Sequence, residues 1–175
     1  MFDPTIFDNL KVVLEGGLYD LDAEELISVI GRVDQIDLAS MSRTFGIAVK
    51  LREGKVKAEL RLSSGLLDFA AELRGVSVVG AQPGAELSIE FELPADPVGI
   101  GRFDAIHRHL HQQWGSEAAI GYEERSRFTT QPAPRRTIFI ATVAFQRKVD
   151  ENHIADLDSL LEHIVESLEL LERQV

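Results

Sequence analysis

Asp104, His107 and His111 stand at positions i, i+3 and i+7. On a helix that spacing sets them along one side, and two histidines four apart have the separation of paired imidazole ligands. With Asp104 as third ligand, a bound metal would keep positions open for water or substrate. The three also border an apolar stripe of Phe103, Ile106, Leu110 and Trp114, where polar flanking residues are common without any ligand. They are the candidate metal ligands; no other cofactor is expected, and no catalytic residue is assigned.

Weaker constellations have plainer readings. Gly99, Gly101 and Arg102 near a helix start could hold an anion, but neither a full dinucleotide fingerprint nor a P-loop surrounds them. Asp20, Asp22, Glu24 and Glu25 resemble the opening of a calcium loop. Both the turn glycine and the closing glutamate are missing, so helix capping accounts for them better. Glu123 and Glu124 are adjacent and on a strand must face opposite ways. Ser40, Ser42, Ser63 and Ser64 lack the nucleophile-elbow glycines, and the chain has no cysteine to serve as nucleophile or thiolate ligand. No enzymatic signature emerges, and whether the chain is an enzyme stays open.

The elements that must position these residues follow from apolar periodicity. Ile154, Leu157, Leu161, Ile164, Leu168, Leu171 and Val175 recur at threes and fours, predicting a C-terminal helix of about 22 residues. Asp150 or Asn152 would cap it. Asp96-Pro97 is a helix start and Gly115 a helix end, bracketing the histidine helix near 97–114. Period-two alternation marks strands at Phe45–Leu51, Val56–Leu62 and Leu87–Leu93, with Arg52-Glu53-Gly54 as a hairpin turn. Ile138–Phe145, apolar on both faces, reads as a central strand covered on each side. Val12–Leu21 and Ala119–Phe128 complete the expected sheet. Asp22 to Ile30 leans to a short capped helix, although its β-branched residues also suit a strand. Residues 37–44 are ambiguous, and Ser64–Arg74 is expected to be a short helix packing Leu66, Leu67, Ala70 and Leu73. Phe128–Arg135 is the expected loop and Gly80–Gly84 a turn. The sum is a single α+β domain over residues 1–175: one antiparallel or mixed sheet under two main helices.

Charge narrows the function. The chain carries 29 acidic and 18 basic residues, net −11, which disfavours the cationic face that nucleic acid requires. No apolar run approaches a membrane span and no signal peptide opens the chain, so a soluble, cytoplasmic protein is expected. Arginines gather between 102 and 147, whereas the tail from Asp150 is mostly carboxylate, with Asp158, Glu162 and Glu166 four apart. Two function classes stand. One is a non-catalytic protein acting through homo-oligomer or protein-partner contacts. The other is a small-molecule or metal binder, possibly an enzyme, with His107, His111 and Trp114 at the mouth of a cavity between sheet and helices.

Overall fold

The computed structural model describes residues 6–74, 84–95, 100–115, 117–127 and 136–175. It opens with a helix, α1 (Ile6–Ala23), not with the strand expected over Val12–Leu21. Phe7, Leu10, Leu14 and Leu18 are buried at spacings of three and four, so packing of one helical face decides the element. Gly16 and Gly17 each cost about 1 kcal/mol in a helix interior relative to alanine. At Gly17 the expense has a function: a Cβ there would stand 2.4 Å from Leu161 Cδ1. Its absence lets α1 close onto the C-terminal helix.

The segment after α1 is also corrected. Instead of a short helix over Asp22 to Ile30, a turn leads into strand β1 (Ile27–Asp37). Asp22 does not begin a helix; its Oδ2 accepts the Val29 N–H at 3.0 Å and folds the turn back. Glu25 takes φ 65°, which ends the helical path. The ambiguous stretch from Asp37 to Thr44 is the hairpin between β1 and β2 (Ser42–Leu51), closed by the Ala39 N–H donating to Asp37 Oδ1 at 2.8 Å.

The remaining strands match their alternation: β3 (Lys57–Ser64), β4 (Glu86–Ala95), β5 (Ala118–Arg127) and β6 (Arg136–Phe145). They form one six-stranded sheet in the order β1-β2-β3-β4-β6-β5, with every neighbouring pair antiparallel. One row of inward residues crosses it in register, Ile47, Leu60, Ile89, Val143 and Ile120. The first four of them are buried and Ile120 is half-buried.

Three helices cover that face. α1 lies over β1, α3 (Ile100–Trp114) over β5 and β6, and α4 (Leu157–Glu172) between them. The predicted long C-terminal helix is thus an α-helix of 16 residues preceded by a 3-10 turn at Glu151–Asp156, which Asp150 caps by accepting the Asn152 N–H at 2.9 Å. Gly115, at φ 59°, ends α3 as expected, its N–H donating to the His111 carbonyl at 3.1 Å. α2 (Leu66–Arg74) forms where expected, but Leu66 and Leu67 are exposed rather than packed. Its inward residues are Ala71 and Asp68, the latter held by Lys148 Nζ at 2.6 Å. The turn at Gly80–Pro83, the Asp96–Gly99 entry to α3 and the Phe128–Arg135 loop lie outside the described residues.

The sheet's second face departs from expectation at β6. Ile138, Ile140, Thr142 and Ala144 share that face with Glu90, Glu92 and Pro94, and no described helix packs across it. Ile140 is nonetheless buried, lying in register between the longer side chains of Glu92 and Glu123.

Candidate functional site

Three places concentrate chemistry. On α3, Asp104, His107 and His111 are exposed along one flank, as their spacing requires, and line a shallow depression with Arg108 and Gln112. The His107 and His111 rings stand 5.6 Å apart, edge to face. The His107 Nδ1 lies 2.9 Å from the Tyr122 hydroxyl on β5, and its ring stacks on Phe103. Tyr122 stacks in turn on Phe139, and burial pushes its phenol above the ordinary value. Among the described residues, no group of three His, Cys, Asp or Glu side chains is disposed to hold a metal ion.

The cavity between sheet and helices lies elsewhere. The C-terminal end of α3 and the start of α4 leave a cleft of about 570 Å³. Trp114, Phe145, Leu87 and Leu160 form part of its floor, with His153 and His163, not His107 and His111, on its rim. The Trp114 ring meets Phe145 and His163 edge to face at 5.9 and 5.8 Å. Its indole N–H is already spent on Ser167 Oγ at 3.1 Å. Trp114, expected at a mouth, lies on the floor; the two histidines, some forty and fifty residues further along the chain, carry no local signal of meeting it.

The third place is the uncovered sheet face. Two depressions share Lys57, Glu92 and Arg125 and together form a trough from Ile30 on β1 to Arg127 on β5. Its apolar floor includes Ala48, Ile140, Pro94 and Ile138. Three ion pairs line or flank it: Lys57 with Glu92 at 3.0 Å, Arg61 with Glu59 at 2.6 Å and Arg125 with Glu123 at 2.9 Å. The last is bidentate, and the Arg125 guanidinium holds the Glu123 carboxyl below the usual range.

Charge along this trough is graded. Its end near Pro94 gathers Lys55, Lys57, Arg125 and Arg127 against Glu92 and, paired to Arg125, Glu123. Farther along the strands Glu59 and Glu90 face one another in register on β3 and β4. The sequence had already marked these positions as the wet half of each alternation. What it did not reveal was their order across the sheet, because β6 inserts between β4 and β5 and lays Ile138 and Ile140 as an apolar floor between Glu92 and Arg125.

No family model, curated protein or solved structure matches the chain. No described helix is long and apolar enough to cross a membrane.

Proposed function

We propose that this protein is non-catalytic and acts through protein contacts made by the open sheet face, in the first instance with a second copy of itself. The carrying observation is the charge grading of that face: a cationic end at Lys55, Arg125 and Arg127, and a more acidic stretch where Glu59 and Glu90 outnumber Arg61. A two-fold axis near the Lys57–Glu92 row would lay each cationic end against the partner's carboxylates, the self-complementarity that a closed dimer requires. Net charge −11 opposes association only at long range. At physiological salt charges more than about 8 Å apart are largely screened, so the local pattern governs.

Size sets the expected strength. Six strands about 4.8 Å apart, five of them 10 or 11 residues long and one of 8, give a face of roughly 800 Å². A standard interface covers about 800 Å² per partner. The face is thus just large enough for a dimer, and its exposed ion pairs make that dimer sensitive to salt. Sedimentation velocity over a concentration series at low and high salt tests it. The wild type dimerises at low salt, and Arg125→Glu with Arg127→Glu abolishes this. Mixing that variant with Glu59→Lys, Glu90→Lys protein restores a mixed dimer. A wild-type monomer under every condition overturns the reading.

A metal held by His107 and His111, the pair expected with Asp104, is a separate proposal; the 5.6 Å approach of the two rings favours it, although Asp104 does not complete a three-ligand group. Native mass spectrometry with added zinc tests it: an adduct lost on His107→Ala with His111→Ala supports it, and no adduct removes it.

A further inference from the structure

The cleft at Trp114 has no part in the sheet-face dimer, and it has the form of a ligand site. Its volume of about 570 Å³ lies within the range of about 300–1,000 Å³ typical of small-molecule pockets. The floor is apolar and aromatic: Leu87, Trp114, Phe145, Val149, Leu157 and Leu160. All are buried or half-buried, and Trp114 and Phe145 meet edge to face at the base of the cleft.

The rim decides which body. Glu117, just ahead of β5, and Asp156, at the start of α4, both line the cleft and are both exposed. Neither has an ion-pair partner among the described residues, and no described lysine or arginine lines the cleft. Gln112, Gln113, Ser159 and the two imidazoles, His153 and His163, supply the other polar groups. An anionic ligand would meet two carboxylates and no described lysine or arginine. A cation on an apolar stem would bury its stem on the floor and keep its charge at the rim, beside aromatic rings that attract cations.

We infer that the Trp114 cleft binds a small organic amine carried on an aromatic or apolar body. Trp114 is the only tryptophan in the chain, so its fluorescence reports this cleft alone. Three probes of matched shape separate the chemistry: 2-phenylethylamine, 2-phenylethanol and 3-phenylpropionate. The amine shifts Trp114 emission saturably and binds about tenfold more tightly than the alcohol, the scale expected of two partly exposed carboxylates. The acid binds more weakly than either. Glu117→Gln with Asp156→Asn, both exposed and conservative, brings amine and alcohol to equal affinity without weakening the alcohol. Ser159→Phe, which fills the rim, removes binding of all three. The inference is overturned if no probe shifts the emission, if the acid binds as tightly as the amine, or if the amine's preference survives the double substitution.

Discussion

Trp114 and Ser167 are joined by a buried hydrogen bond, indole Nε1–H to Oγ at 3.1 Å, that ties α3 to α4 on top of the sheet. Both residues are nearly inaccessible, so neither group has water as an alternative. Ser167→Ala leaves the indole N–H unsatisfied and costs about 1–3 kcal/mol, the usual penalty for an orphaned buried donor. Urea unfolding followed by Trp114 fluorescence measures the loss directly. A change within error would mean that the indole finds another acceptor.

A second tie joins the end of α4 to the far side of the sheet. The Glu172 carboxylate accepts the Lys55 N–H at 2.9 Å and the Val56 N–H at 3.0 Å, closing the β2–β3 turn. These amides would otherwise be left unpaired where the chain reverses. Glu172→Ala lowers stability by about 1–3 kcal/mol, the range for hydrogen bonds to a charged acceptor. Hydrogen exchange at the Val56 amide should accelerate more than exchange at Leu60, deep in the same strand. Equal acceleration at both would mean that only global stability had changed.

What could be read from the sequence divides along physical lines. Elements whose burial repeats cleanly, such as β3 with Ala58, Leu60 and Leu62, emerged with their faces assigned. α1 did not, although Phe7, Leu10, Leu14 and Leu18 repeat at helical spacing, because two glycines and adjacent valines argue against a helix locally. Asp22 misled for a related reason: an acidic residue three before another reads as a capping box, yet its partner is Val29 in the following strand. The histidine flank on α3 was legible because its spacing lies within one helix. The Trp114 cleft and the graded trough assemble from residues far apart in sequence, and periodicity carries no information about which strands become neighbours.

Tyr122 gives a pH-dependent prediction. Burial raises its phenol above the usual value, so the folded state favours the protonated form. The stabilisation is fully present below the unfolded tyrosine value, about 10, and is lost as pH rises through the higher folded value. Stability therefore falls in the alkaline range, and Tyr122→Phe flattens that fall. Urea midpoints above and below this range, compared between wild type and variant, decide it. An identical alkaline fall in both proteins would assign the loss to other groups.

The Glu123–Arg125 pair tests whether the open face is ordered before any partner arrives. Two hydrogen bonds from one guanidinium, at 3.1 and 2.9 Å, depress the Glu123 carboxyl although the pair is exposed. A lowered carboxyl contributes stability above its unfolded value that disappears as pH falls through the lower folded one. Carboxyl-detected NMR titration should find Glu123 below the usual glutamate range of about 4.3, returning toward it in Arg125→Gln. If Glu123 titrates ordinarily in the wild type, the guanidinium is not held against it. Arg125 would then be a mobile cation, and the face would have to be ordered by its partner.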